Sequence, residues 1–146
     1  MFKRFHTYEL TFSALAAAAS GSGTFLVETL YDFWWIKSQA FIFDAAGLGV
    51  STLLLPNLEV TLQEGSSQQQ LTSQAAAIAG LFGTGQLPFI LPTMHVIVGG
   101  ANFNVTVTNR HTATAFSARL QFSGVLVMKG TSPTSRRVAR ARAGRR

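Results

Sequence analysis

Cysteine is absent from the 146 residues. With it go a disulfide framework, a thiolate zinc site, an iron–sulfur cluster and a thiol nucleophile. Charge is scarce too. Asp, Glu, Lys and Arg make up 12% of the chain, about half of the roughly one-quarter usual in globular domains. The apolar fraction of 47% is ordinary, so the shortage of charge argues against both disorder and a highly charged helical bundle. Every candidate apolar run is broken by Ser, Thr, Gly, Lys or Asp before it reaches the ~18 residues of a membrane-spanning helix. What remains is one domain's worth of protein, long enough to bury roughly 68–70% of its unfolded surface without a metal or a covalent staple.

The charge that is present is unevenly placed. Residues 129–146 contain Lys129, Arg136, Arg137, Arg140, Arg142, Arg145 and Arg146, which are seven of the twelve basic residues, and none of the six acids. The remaining five basic and six acidic residues give positions 1–128 a formal charge of −1. The chain therefore divides into a body over 1–128 and an Arg-rich arm over 129–146. A nearly neutral body lacks the repulsion that keeps proteins apart, which suits a subunit covered by neighbours.

Alternation with a period of two dominates the body. Near the start, Tyr8, Leu10 and Phe12 alternate with Thr7, Glu9, Thr11 and Ser13, as in a half-buried strand. The same region, with Lys3 and Arg4 ahead of Leu10–Ala19 and Ser20, also has the order of a secretory leader. Thr24–Thr29 and Phe33–Phe43 read as two strands or one bent strand, with a turn over Asp44–Gly49. Leu58, Val60 and Leu62 alternate with Glu59, Thr61 and Gln63, and Glu64–Gln70 reads as a polar loop. Leu71, Ala75, Ile78, Ala79 and Phe82 form a helical stripe, which predicts a short helix at 71–82. Pro88 and Pro92 mark an edge segment, and Met94–Val98 a strand closed by Gly99–Gly100. Phe103, Val105 and Val107, then Phe116, Ala118, Leu120 and Phe122, mark the last two strands; Gly124 predicts a bulge before Val125 and Val127. About eight amphipathic strands predict an all-β, antiparallel two-layer sandwich of jelly-roll type.

Chemistry leaves few traces. His6, His95 and His111 are far apart, with no carboxylate at metal-ligand spacing, and the six carboxylates form no paired motif. The pairs Gly47–Gly49 and Gly83–Gly85 lack the lysine of a phosphate-binding loop and read as turns. No catalytic, cofactor-binding or metal residue is assigned, and no enzymatic activity is expected. Trp34 and Trp35 are the candidate interface aromatics; adjacent strand residues point to opposite faces, so one belongs to the core and one to a surface. The strongest chemical signal is the arm. Arg136, Arg137, Arg140, Arg142, Arg145 and Arg146 suit a polyanion, bound through counterion release, or an acidic patch on a neighbouring subunit.

A resemblance adds to this. Leu87–Pro92, His95–Gly100, Phe103–Asn109 and Leu120–Leu126 give a proline-marked segment, a strand, a glycine turn, a strand ending in Asn and a final strand containing Gly. That succession, with the aromatic run Phe33–Phe43 upstream, resembles small β-sandwich structural proteins of bacteriophage virions over about residues 24–128. The resemblance implies a virion location and an assembly role: capsid decoration or cement, minor capsid, collar, spike or tail. It also implies self-association and capsid, portal or tail proteins as partners. Two other readings stay open. One is a nucleic-acid-binding structural module acting through the Arg arm; the other is a secreted carbohydrate-binding sandwich that begins with a leader.

Overall fold

The computed structural model describes residues 2–50, 58–65, 69–72, 74–84 and 86–130. Among them, ten strands and one turn of helix follow in the order β1 (Lys3–Leu15), β2 (Ser20–Leu26), β3 (Tyr31–Phe43), β4 (Gly49–Val50), β5 (Leu58–Glu64), β6 (Gln69–Gln70), β7 (Ala76–Ala77), α1 (Ile78–Leu81), β8 (Phe89–Ile97), β9 (Asn102–Asn109) and β10 (Phe116–Met128). They form two antiparallel sheets, each four positions wide. Sheet A runs β1-β10-β3, with β8 and β4 sharing the far edge of β3; sheet B runs β2-β9-β5, with β6 and β7 sharing the far edge of β5. The chain passes from A to B and back as it goes from β1 through β2, β3 and β5, and again through β8, β9 and β10. This interleaving is the jelly-roll wrapping that the amphipathic strand pattern predicts.

Alternation explains which side chains meet between the sheets. Leu58, Val60 and Leu62 of β5 and Phe103, Val105 and Val107 of β9 are buried, as are Phe116, Ala118, Leu120, Phe122 and Leu126 of β10. Much of the chain's phenylalanine is spent here. Phe103 and Phe122 lie 5.6 Å apart, Phe25 stacks on Phe103 at 5.1 Å, and Trp35 and Phe82 close edgewise on Phe122 at 5.2 and 5.4 Å. Each fully buried ring contributes roughly 1.5–3 kcal/mol through desolvation, with a further increment from its edge-to-face geometry.

One buried polar residue ties three segments together. Asn109, fully buried at the end of β9, donates from Nδ2 to the carbonyls of Leu15, Ala16 and Thr114, and its Oδ1 accepts from the His111 amide at 2.9 Å. The β1–β2 turn and the β9–β10 loop are thereby fixed to each other.

The strand pattern is broken at a bulge in β3. Phe33 and Trp35 point inward, Ile36 and Lys37 both point outward, and Ser38, Ala40 and Ile42 point inward again. The bulge faces Ser123 and Gly124 of β10. A Cβ on Gly124 would collide with the carbonyl oxygen of Trp34, so the close approach requires glycine there. The bulge therefore lies in β3 and not, as Gly124 suggested, in β10, where the inward phase runs unbroken from Phe122 through Gly124 to Leu126.

Other expectations shift in detail. Thr24–Thr29 and Phe33–Phe43 fall largely on β2 and β3, in opposite sheets. Glu64 belongs to β5 and is buried, and Gln69–Gln70 return against it as β6, so part of the expected polar loop is a hairpin. The helix shrinks to Ile78–Leu81: Ala76–Ala77 pair with β5, no side chain caps the turn, and Gly80 disfavours extension. The proline segment and the following strand are one edge strand, β8. It pairs with β3 at Phe89–Ile90 and again at His95–Ile97, while Leu91–Met94 leave the ladder opposite the bulge. Lys3–Leu15, the first part of the leader-like order that runs on to Ser20, is β1 and buries Phe12 and Leu15. Beyond 128, Lys129 stays attached to the body, donating its amide to Leu30 and its Nζ to the Gly99 carbonyl.

Candidate interaction surface

Across the outer face of sheet A, the strand registers place four apolar residues in one row. Phe5 is opposite Val125, Val125 is opposite Trp34, and Trp34 is opposite Val96, so the row crosses β1, β10, β3 and β8. Its two ends are open, with Phe5 67% and Val96 39% exposed. Ile36, displaced outward by the bulge, and Ile90, opposite Lys37, extend the apolar surface along β3 and β8. Toward the other end of the sheet the rows turn polar: Thr7, Ser123 and Lys37, then Glu9, Gln121 and Gln39.

Charge is arranged around this patch in a definite way. Of the five basic residues in the body, Arg4, Arg110 and Arg119 pair with Glu28, Glu59 and Glu9. The other two lie over aromatic rings. Lys3 Nζ is 4.9 Å from the Trp34 ring centre, and Lys37 Nζ is 5.9 Å from that of Phe5. The apolar row is thus flanked by two ammonium groups whose fields point at whatever lies against it.

The two tryptophans separate as strand geometry requires. Trp35 is in the core, its indole N–H donating to the Lys37 carbonyl at 3.0 Å, whereas Trp34 is half-exposed on the outer face. Only Trp34 is placed to contact a partner through that face. Phe5, Val96 and Ile90 were not singled out from the sequence. The available signal was phase, because Phe5 falls on the polar set of its strand with Thr7 and Glu9. Arg136, Arg137, Arg140, Arg142, Arg145 and Arg146 lie outside the described residues.

The histidines are dispersed. His6 stacks edgewise on Tyr8 at 4.5 Å; burial, followed by the Arg4 guanidinium, holds its pKa below the usual imidazole range, against an opposing pull from Glu28. Burial, helped by Glu28, pushes the Tyr8 hydroxyl up. His111 Nδ1 accepts from the amides of Ala113 and Thr114 and so shapes a loop. His95 lies on β8 with Nε2 3.9 Å from a Glu64 carboxylate oxygen. Among the described residues, no three His, Asp or Glu side chains converge as a metal site. A scan against protein-family models gives no match, and a search of curated proteins gives none either.

Proposed function

We propose that this chain is a non-enzymatic structural subunit, of the virion kind its C-terminal half resembles, which packs the outer face of sheet A against a neighbouring subunit. The observation that carries this reading is the row Phe5–Val125–Trp34–Val96 with Lys3 and Lys37 beside it. An apolar stripe across all four positions of a sheet, rimmed by charge, has the composition of an interface centre, and Trp is the residue most enriched among those that dominate binding energy. The Arg arm supplies a second, salt-sensitive contact, to nucleic acid or to an acidic neighbour.

Sedimentation velocity over a range of protein and salt concentrations tests both parts. The full chain should self-associate. The double variant Phe5→Ser, Trp34→Ser should remain folded and associate about 100-fold more weakly, the loss expected of two dominant contacts. Deleting residues 131–146 should remove only the salt-sensitive part. A full chain that stays monomeric throughout, or a double variant that associates as the parent does, overturns the reading.

A further inference from the structure

The edges of the two sheets are unequally defended. An unpaired strand edge is an open template for another chain, and folds blunt it with short strands, proline or bulges. β4, β6 and β7 are two residues long, β8 carries Pro92 and leaves its ladder at Leu91–Met94, and β2 is weakened by Gly21 and Gly23. β1 has none of these features. From Lys3 to Phe12 it follows β10 in unbroken register, without proline or glycine, and among the described residues it pairs with no other strand.

One bond gives the direction of its backbone groups. The Met128 amide donates to the Phe2 carbonyl across the ladder, so the even-numbered residues of β1 bond to β10. The odd-numbered ones, from Lys3 to Thr11, turn their N–H and C=O groups to the open edge. A second β1 related by a twofold axis runs antiparallel and sets odd residues opposite odd. With the axis at His6, Lys3 faces Glu9 of the second copy and Phe5 faces Thr7, while on the other side of the sheet Phe2 meets Leu10 and Arg4 meets Tyr8. Of the antiparallel registers open to this edge, this one alone brings opposite charges face to face, and such pairs stabilise a ladder. Lys3 makes no ion pair of its own among the described residues, and the Glu9 carboxylate, beside Arg119 and Gln121, keeps acceptor sites for an incoming ammonium group. The chain's own arm suits the edge less well. It follows Met128, beside Phe2, and its six arginines would enter against Lys3 and Arg4.

We infer that two copies of this chain join edge to edge through β1, antiparallel about an axis at His6, and merge their A sheets into one of twice the width. The edge gives a dimer, and the outer face of sheet A is a separate contact through which such dimers associate further. The chain has no cysteine, so single thiols report the geometry. In this register the two Cα atoms at position 6 lie about 4.5 Å apart, within disulfide range. Under mild oxidation His6→Cys should form covalent dimers at least ten-fold faster than Thr7→Cys or Thr11→Cys, and equally fast in a Trp34→Ser background that weakens the face contact. In that background Thr7→Pro should weaken dimerisation at least ten-fold in sedimentation velocity, because it removes an edge N–H that β10 does not use. Thr7→Val, which loses only the hydroxyl contact to Ser123, should dimerise as its parent does. If Thr7→Pro does not fold, the thiol rates decide the matter. Cross-linking at position 7 or 11 as fast as at position 6, cross-linking that appears only once residues 131–146 are removed, or a folded Thr7→Pro chain that dimerises as its parent does overturns the inference. Failure of the face contact leaves the cross-linking at position 6 unchanged, so the two readings fail separately.

Discussion

The two outer faces of the sandwich come from the same alternating pattern and end in opposite states. On sheet B the exposed positions are Ser20, Ser22 and Thr24, facing Thr108, Thr106 and Asn104, and each pair is joined by a side-chain hydrogen bond of 2.8 to 3.1 Å. The next strand adds Glu59, Thr61 and Gln63, with Glu59 paired to Arg110 at 2.8 Å. Sheet B therefore turns part of its polar capacity inward on itself. Sheet A does the reverse at one end, where a hydrophobic row has two lysines over its rings and, among the described residues, no further layer above it. A face whose polar groups already bond one another gains little from a partner, whereas a face of exposed aromatic and aliphatic carbon gains a great deal.

The sharpest way to break this contrast is to move the row. Gly124→Ala should force β10 away from the Trp34 carbonyl, destabilise the fold by about 3 kcal/mol in chemical denaturation and eliminate association, because the bulge sets which β3 residues face outward. A smaller effect is expected on the opposite face. Ser22→Ala with Thr106→Ala removes one hydroxyl pair and should cost at most about 1 kcal/mol while leaving sedimentation unchanged; loss of association would remove the distinction between the faces. The smallest effect is a pH dependence at the N-terminal end of sheet A. The folded pKa of His6 is lowered, so as pH falls through about 6.5 the unfolded chain takes up a proton that the folded one resists. Its stabilising contribution is complete above that value and declines below it. Thermal melts should show a slope between pH 7.5 and 5.5 that flattens in His6→Gln, and an unchanged slope would reassign it to other groups.

Strands with an undisturbed period of two were legible in the sequence. Leu58–Leu62, Phe103–Val107 and Phe116–Phe122 bury the residues their alternation selects. What escaped depends on partners distant in the chain. The phase change at Ile36 is imposed across the sheet by Gly124, and nothing local to Phe33–Phe43 announces it. Without it, Phe41 and Phe43 would be expected inside and Ala40 and Ile42 outside. Glu64 reads as the start of a loop because a carboxylate rarely ends an inward-facing row, yet it does so here. For the candidate surface, alternation separates Trp34 from Trp35 but does not say which faces out. The row itself exists only through three registers, and each joins residues at least 62 positions apart.

Those registers have a consequence for biosynthesis. The first long strand pairs with the last, Lys3 with Val127, so β1 waits without its sheet partner while nearly all of the described body emerges from the ribosome. The row collects positions 5, 34, 96 and 125 and comes into being only when both ends of that body have met. A truncated or half-folded chain cannot display it. The surface proposed as an interface would thus double as a certificate of completion, and an assembly built through it would admit only finished subunits.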